Sequence, residues 1–189
     1  VLVTGETGTG KELVARLMHG LSARAEGPFI KMNCAALPET LLESLLFGYE
    51  RGAFTGAGQA NPGYFEKAHG GNLFLDEIAE MSLQMQAHLL RFLESGEIQP
   101  VGSAGGPIRV DVRIISATNR ALEQLVATGA FRSDLLYRIK VVHIHVPPLR
   151  DRMEDVPELV RHFVTKFAAE EGKRVTGLDP QAAQLLSGY

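Results

Sequence analysis

The chain is poor in cysteine, and neither sign of charge dominates it. One Cys among 189 residues excludes an internal disulfide framework and a cysteine-rich zinc site, which suits a reducing cytoplasm. The 19 Lys and Arg against 22 Asp and Glu give a formal net charge of −3. A dedicated nucleic-acid-binding domain normally has a basic balance, so direct DNA binding by these residues is not expected.

Long apolar runs are also missing. No run approaches the roughly 18 residues needed to span a bilayer, and a secretory signal peptide is absent, so no membrane contact is expected. What is present is 45% hydrophobic and 22% charged residues, enough apolar material for the core of about one domain. The chain opens inside an apolar strand and stops just after a helical pattern begins, so we expect it to be part of a larger protein.

Short apolar runs alternate with longer segments of helical period, which predicts an α/β domain with a mainly parallel sheet. The predicted strands are Val1–Thr4, Phe29–Met32, Leu73–Leu75, Val112–Ala117 and Val141–Val146. The predicted helices run from Lys11 to about Ser22, Pro38 to Phe47, Ser82 to Ser95 and Asp155 to about Glu171. The strands are rich in Val, Ile, Leu and Phe, as is typical of strands covered on both faces.

A glycine-rich turn follows the first strand and opens the first helix. It reads Gly5, Glu6, Thr7, Gly8, Thr9, Gly10, Lys11 and Glu12. Glycines let backbone N–H groups turn onto phosphate oxygens, the helix N-terminus adds a favourable dipole, and Lys11 supplies a positive charge. The alternative is a turn without a ligand, and Glu12 replaces the Ser or Thr whose hydroxyl usually holds Mg²⁺. We interpret the motif as a phosphate-binding loop.

Two carboxylates, Asp76 and Glu77, end the strand predicted at 73–75. Successive strand residues point to opposite faces, so we expect Asp76 to reach a metal ion and Glu77 a water in line with the terminal phosphate. Taken alone, the pair is as typical of an ordinary exposed strand end as of a catalytic site. Beside a phosphate-binding loop it indicates a catalytic pair.

A third strand ends in Thr118 and Asn119. Ligands of parallel sheets bind beyond the carboxyl ends of the strands, so these two side chains are expected where a phosphate would lie. In isolation, the same residues are more typical of a turn with a helix cap.

Two segments, 48–63 and 102–107, carry too much glycine for a regular element. The first contains the hexapeptide Gly52, Ala53, Phe54, Thr55, Gly56 and Ala57. From composition alone it would be interpreted as a disordered surface insertion. With this GAFTGA hexapeptide, the GETGTGKE loop and the Asp-Glu pair in order, the chain resembles the AAA+ ATPases. It is most similar to the central domain of bacterial enhancer-binding proteins, the NtrC-like activators of sigma-54 RNA polymerase.

The resemblance covers essentially the whole chain and implies a fold. That fold is a P-loop NTPase of the AAA+ type, a three-layer αβα sandwich with a parallel central sheet, followed by the start of a truncated helical lid. Residues 1–148 would form the ATPase core, truncated at its N-terminus. Residues 149–189 would form the connection and the beginning of the lid, truncated at its C-terminus.

The resemblance also implies roles for single residues in ATP hydrolysis with Mg²⁺. Asp76 would hold Mg²⁺ through water, and Glu77 would polarise the attacking water. Asn33 would restrain Glu77 through a hydrogen bond until the partner is engaged. Thr118 and Asn119 would sense the terminal phosphate.

Two arginines, Arg132 and Arg138, fall in a predicted helical segment. By resemblance both face the ATP of the neighbouring subunit, so that catalysis depends on a ring of six or seven identical subunits. A solvated helix face, with Asp134 as the local partner of the arginines, is the alternative from spacing alone.

The resemblance implies that Phe54 and Thr55, within the segment Gly52–Ala57, contact sigma-54 factor and so remodel the closed complex of RNA polymerase holoenzyme. The second glycine-rich loop, Gly102–Arg109, would support the first. Tyr49 stands where the family more often has His, and little consequence is expected. DNA would be bound only by modules outside this chain, and the protein would be cytoplasmic.

Two other interpretations stay open at this point. The chain could be a different P-loop enzyme, such as a kinase or an AAA+ machine that remodels another protein client. It could also be a nucleotide-binding regulatory module without turnover. His143 and His145 share a strand face, but no third metal ligand is evident, and Cys34 is interpreted as a small packing residue.

Overall fold

The computed structural model of the protein describes residues 1–175, 177–179 and 181–182. Its centre is a parallel five-stranded sheet in the order β2-β5-β8-β1-β9. These strands are β1 (Leu2–Thr4), β2 (Phe29–Asn33), β5 (Asn72–Asp76), β8 (Arg113–Thr118) and β9 (His143–His145). Two antiparallel pairs lie outside it, formed by β3 (Gly48–Tyr49) with β4 (Asn61–Pro62) and β6 (Glu97–Ile98) with β7 (Ile108–Arg109).

Helices lie between the strands of the central sheet, and in the described part of the chain two 3-10 helices and one α-helix follow β9. The α-helices are α1 (Lys11–Gly20), α2 (Glu39–Phe47), α3 (Tyr64–Lys67), α4 (Leu83–Ser95), α5 (Leu122–Ala127), α6 (Ser133–Ile139) and α7 (Val156–Glu170). The 3-10 helices are Ile78–Glu80, Leu149–Asp151 and Met153–Asp155.

The sheet is covered on both faces, because neighbouring residues of each strand enter different cores. Leu73 and Leu75 of β5 join the larger core, which also contains residues of α2, α4 and α6. Phe74, between them, joins the smaller core with Ala15 of α1. The predicted three-layer arrangement around a parallel sheet is therefore confirmed.

The long elements lie within one or two residues of their predicted bounds. Helix α4 begins after Ser82, whose side chain accepts a hydrogen bond from Met85 N, and ends at Gly96 in the left-handed conformation. The helices α3 and α5 were not predicted, because four and six residues are too few to show a periodic apolar stripe. The assignment of 48–63 as wholly irregular was wrong at its ends, where β3 pairs with β4.

The chain divides into two compact units, Val1–Val146 and Pro147–Tyr189. The second unit contains α7, with a proline in its first turn, where a missing N–H costs little. The helical pattern expected to begin near the end of the chain falls mostly on residues outside the described ranges. Among the described residues, the helices are too short or too polar to cross a lipid bilayer.

Candidate functional site

Three parallel strands bring the predicted site residues to one edge of the sheet. Strand β1 lies between β8 and β9, and β8 lies between β1 and β5. The register pairs Thr4 with Thr118 and Leu75 with Ser116, so the carboxyl ends of all three strands reach the same level. We call the residues at these ends and directly after them the strand-end cluster; they are Gly5–Lys11, Asp76–Glu77 and Thr118–Asn119.

Lys11, at the end of the glycine-rich loop of this cluster, hydrogen-bonds back to the start of the loop. Lys11 is 7% exposed, and its Nζ donates to the carbonyl oxygens of Gly5 at 3.0 Å and Glu6 at 3.1 Å. An ammonium has three N–H donors, so one remains for a phosphate oxygen. Gly10 precedes α1 with φ 95°, a conformation that a residue with a Cβ rarely adopts. The loop thus presents a buried cation and a helix N-terminus on one side.

The carboxylate of Glu12 pairs with two cationic side chains at the surface. Its Oε1 accepts from Arg16 Nε at 3.0 Å and from Lys31 Nζ at 3.2 Å. The hydrogen bond from Arg16 is the main reason that the pKa of Glu12 is lowered. The carboxylate is therefore engaged with two cations and does not replace the missing hydroxyl.

Glu77 has a backbone conformation that the sequence does not reveal. Strand β5 ends at Asp76, and Glu77 has φ 51°, the only positive φ outside glycine in the described residues. The prediction that strand alternation sends Asp76 and Glu77 to opposite faces was therefore wrong. Glu77 lies in a left-handed turn after the strand, and this turn sets the direction of its side chain in place of the strand pleat. Such a conformation costs about 1–3 kcal/mol and occurs preferentially at functional sites.

Asn119 joins the other parts of the strand-end cluster. Its Nδ2 donates to Thr7 Oγ1 at 2.9 Å, and its backbone N–H donates to Glu77 Oε2 at 3.4 Å. Thr118 is fully buried, and its Oγ1 accepts from Arg120 N at 3.1 Å. The structure thus brings Asn119 to the loop and to Glu77, while the side chain of Thr118 caps the following turn.

Asn33 lies beside Asp76 in the register of β2 and β5. Its Oδ1 accepts a hydrogen bond from Ala35 N at 2.8 Å. Within the described part of the chain, the structure contains no hydrogen bond between Asn33 and Glu77. The restraint of Glu77 by Asn33 therefore stays a prediction.

The two arginines have separate local partners. Arg132 lies just before α6 and forms two hydrogen bonds to Asp134, Nε to Oδ1 at 3.0 Å and Nη2 to Oδ2 at 2.7 Å. That pairing raises the pKa of Arg132 and lowers the pKa of Asp134. Arg138 Nη2 donates to Leu93 O at 3.1 Å. Both guanidinium groups lie at the surface of this unit and outside the strand-end cluster.

Sequence reasoning missed Gln86. Its side chain is fully buried in α4 and accepts a hydrogen bond from Arg132 N at 2.8 Å. The available signal was a glutamine between Met85 and Leu89, on the helix face that is otherwise apolar and buried.

The hexapeptide loop, Gly52–Ala57, folds into hydrogen-bonded turns. Gly52 N donates to Ala57 O at 2.8 Å, and Ala57 N donates to Phe54 O at 3.0 Å. Ala57 is buried, whereas Phe54 is 44% exposed and has its ring centroid 5.0 Å from that of Tyr49. The loop therefore presents one aromatic side chain at the surface, supported on one side by another.

The β6–β7 hairpin supports the base of the hexapeptide loop. Glu50 N donates to Val101 O at 3.0 Å, and Val101 N donates to Gly48 O at 2.9 Å. Gly102 approaches Ala53 so closely that a Cβ added to Gly102 would lie 2.7 Å from the Cβ of Ala53. These contacts agree with the support predicted from the second glycine-rich loop.

The described residues offer limited possibilities for a metal. They contain no group of three or more His, Cys, Asp or Glu side chains arranged around a common point, and both His143 and His145 hydrogen-bond to Thr4 Oγ1. Asp76 uses Oδ1 for the N–H of Glu77 at 3.1 Å. Mg²⁺ usually keeps several waters and takes one or two carboxylates together with phosphate oxygens. The single carboxylate of Asp76 fits an ion bound in that way, and it does not fit a metal site made only of protein ligands.

Comparison with known proteins gives one consistent group. Residues 1–145 match the family described as the sigma-54 interaction domain, and residues 150–189 match the AAA+ ATPase lid domain. The chain is 57% identical over 186 residues to the Nif-specific regulatory protein of Herbaspirillum seropedicae, covering 98% of this chain and 34% of that protein. It is 54% identical over 189 residues to the regulatory protein AtoC of Escherichia coli K12, covering 100% of this chain and 41% of AtoC.

Solved structures agree with these relatives. NtrX from Brucella abortus in complex with ADP superposes with a TM-score of 0.91 at 40% identity, over 100% of this chain and 41% of NtrX. The complex of NtrX with ATP gives a TM-score of 0.89 at 40% identity, over 100% of this chain and 42% of NtrX. The chain thus spans less than half the length of each of these relatives.

Proposed function

The chain belongs to the sigma-54 interaction domain family of AAA+ P-loop NTPases, and from this premise we propose that it hydrolyses ATP to remodel sigma-54 RNA polymerase. The observation that carries the proposal is the strand-end cluster, where Asn119 hydrogen-bonds to both Thr7 and Glu77. Loop, carboxylate and amide therefore address one ligand. The ADP and ATP complexes of NtrX support the nucleotide as that ligand.

The phosphates of ATP bind along Gly5–Lys11 and the first turn of α1. Backbone N–H groups of the loop donate to phosphate oxygens, and the helix N-terminus favours their negative charge. The buried ammonium of Lys11, already held over Gly5 and Glu6, places its remaining donor on a phosphate. Glu12 stays with its surface cations.

Asp76 is the residue that would hold Mg²⁺, through water, and the ion would neutralise charge on the phosphates. Glu77 orients a water for attack on the terminal phosphorus and accepts its proton, the usual work of a positioned general base. Asn119 senses the terminal phosphate from its place on Thr7, and Thr118 fixes the turn that carries it. Asn33 restrains Glu77 once the side chains have moved from their present hydrogen bonds.

Arg132 and Arg138 act on the ATP of the neighbouring subunit in a ring of six or seven copies. A guanidinium on the transferring phosphoryl group is worth about 10³–10⁵ in rate. Their position at the surface and outside their own strand-end cluster supports action in trans. Arg132 must then exchange Asp134 for the phosphoryl group of the neighbour, and turnover depends on assembly.

The hexapeptide loop is the part of the domain that acts on the partner protein during the ATPase cycle. Phe54 and Thr55 contact sigma-54 factor, and the loop rises or withdraws with the nucleotide state. This movement of the loop couples ATP hydrolysis to remodelling of the closed complex of RNA polymerase holoenzyme in the cytoplasm. DNA is bound by other modules of the full-length protein.

The test is co-elution of the full-length protein with sigma-54 factor, in ADP with a metal fluoride that mimics the transferring phosphate. We expect binding only with the mimic, lost in Thr55→Ala and kept in Thr128→Ala, an exposed threonine at the end of α5. No binding together with intact ATPase activity would contradict the sigma-54 partner and favour another protein client. Nucleotide binding without any turnover would contradict the ATPase itself.

A further inference from the structure

A buried amide links the segment of Glu77 to the segment of Arg132 within one subunit. Gln86 is fully buried, and its Nε2 donates to Met81 O at 2.8 Å and to Ala130 O at 3.2 Å. Its Oε1 accepts from Arg132 N at 2.8 Å. The single side chain thus has hydrogen bonds to two segments that are nearly 50 residues apart in sequence.

The first of these segments is rigidly connected to Glu77. Glu77 precedes the 3-10 helix Ile78–Glu80, and Glu80 N donates to Glu77 O at 3.0 Å. Met81 follows directly, is 3% exposed, and donates its N–H to Ile78 O at 3.2 Å. These hydrogen bonds connect the backbone of Met81 to the short helix that begins directly after Glu77.

The second segment fixes the backbone of Arg132. Gln86 bonds on both sides of Phe131, to the carbonyl before it and to the N–H after it, much as a neighbouring peptide group would in a sheet. Phe131 is 2% exposed, and its N–H and that of Ala130 both donate to Leu125 O. Arg132 is the last residue before α6, and its side chain is exposed. The hydrogen bond from its N–H to Gln86 therefore fixes the backbone position from which the guanidinium extends.

We propose that Gln86 is a positioning residue that fixes Arg132 relative to the Glu77 segment of the same subunit. Glu77 acts on the ATP of its own subunit, while Arg132 acts on the ATP of the next. The amide of Gln86 therefore links neighbouring sites around the ring. This proposal rests on the proposed function, because it needs Arg132 to act in trans.

The alternative is that Gln86 only satisfies buried backbone groups. A buried N–H or carbonyl that loses its partner destabilises the fold, so a loss of activity alone would not separate the two roles. The separation needs an assay in which the effect depends on which subunit carries the substitution.

Mixed rings of the full-length protein provide this assay. Lys11→Ala subunits lack their own ATP site but keep Arg132, whereas Arg132→Ala subunits keep the ATP site. Each is inactive alone, and mixing them restores ATPase activity where an intact site meets an intact arginine. Gln86→Met is then added to one subunit type at a time.

We expect Gln86→Met on the Lys11→Ala subunit to lower the restored kcat about tenfold or more, since small misplacement of a catalytic group is costly. On the Arg132→Ala subunit it should change kcat less than about threefold, with the KM for ATP unchanged within the same margin. Met85→Leu, at the adjacent and equally buried position, is the matched control and should have little effect on either subunit. Gln86→Glu, whose carboxyl group is expected to stay protonated in this buried place, keeps an acceptor for Arg132 N–H and one O–H donor for a carbonyl, and it should retain more activity than Gln86→Met.

Thermal unfolding of each variant, together with ADP binding where Lys11 is intact, establishes folding. If Gln86→Met does not fold, Gln86→Glu is compared on the two subunits instead. The positioning role would be overturned if Gln86→Met lowered the restored kcat equally on both subunits. It would also be overturned if Gln86→Met caused no loss on the Lys11→Ala subunit, which supplies Arg132. If the Lys11→Ala and Arg132→Ala subunits restore nothing before Gln86 is changed, the arginine in trans fails, and the Gln86 proposal fails with it.

Discussion

The strand-end cluster and the hexapeptide loop are both rich in glycine, yet they are held in different ways. The cluster lies at the ends of three strands whose interiors are buried, and Lys11 itself is nearly covered. The hexapeptide loop extends from strands of two residues each, and its fixed points are turns and the β6–β7 hairpin. Glycine content alone therefore does not distinguish a phosphate-binding loop between buried strands from a surface loop; the length and burial of the flanking strands do.

This difference suits the two proposed roles. A catalytic group must be held before the reaction, whereas a contact that appears and withdraws needs an element with two arrangements. Because α2 leads from the region of Asn33 to the hexapeptide loop, it connects the two regions. Substitutions in each region test whether ATP hydrolysis and the contact with sigma-54 factor are separate.

The largest effect is expected from Glu77→Gln in the full-length protein. Loss of the general base should lower kcat by about 10²-fold or more, with ADP and ATP affinity unchanged, because Lys11 and the loop are intact. Steady-state ATPase assays and equilibrium nucleotide binding measure the two quantities.

Glu80→Gln is the matched control, since Glu80 lies three residues away and forms an exposed ion pair with Arg120. Removal of such a pair has a small effect on stability, and turnover should remain within about twofold of the parent. If Glu77→Gln hydrolyses ATP as fast as Glu80→Gln, Glu77 is not the base.

The next effect is expected at the loop, where Phe54→Ala should abolish activation of sigma-54 transcription but leave ATPase activity within about twofold. Phe54 contacts Tyr49 and solvent and lies outside the strand-end cluster, so chemistry should not depend on it. Single-round transcription and ATPase assays on the same preparation measure both.

Leu83→Ala truncates an apolar side chain of similar exposure on α4, 50% against 44% for Phe54, and should leave both activities unchanged. A Phe54→Ala variant that still activates transcription would contradict the contact. A variant that loses ATPase activity as well would show that the two regions are coupled more tightly than proposed.

The sequence alone predicted what depends on local pattern and on motif. Apolar runs located the five strands of the parallel sheet, and the glycine-rich turn with Lys11 located the phosphate loop. The left-handed conformation of Glu77 was not predictable, because glutamate rarely adopts it and the residues that follow, Ile78 and Ala79, are buried by contacts formed only in the tertiary structure. Nor was the contact of Tyr49 with Phe54, since the pairing of β3 with β4 depends on residues distant along the chain.

The smallest effect concerns Cys34, which reports on the strand-end cluster and not on the loop. Burial, and then the negative charges of Asp76 and Glu77, raise the pKa of the Cys34 thiol from 9.0 to about 12. The folded protein thus holds this proton more tightly than the unfolded chain does. The free energy of unfolding should therefore lose nothing below pH 9 and fall as pH rises from about 9 toward 12, by at most about 1.4 kcal/mol per pH unit.

Denaturant unfolding of the full-length protein between pH 8 and about 10.5 measures this slope, and Cys34→Ala is the comparison, because alanine has no proton to lose. The fall should be steeper in the parent than in the variant, and the native thiol should resist alkylation at pH 8, since the thiolate is the reactive form. Parallel slopes, or rapid alkylation of the native protein, would mean that Cys34 is not shielded beside the carboxylates. The strand-end cluster would then be more open to water than its burial indicates, and its contrast with the hexapeptide loop would be smaller.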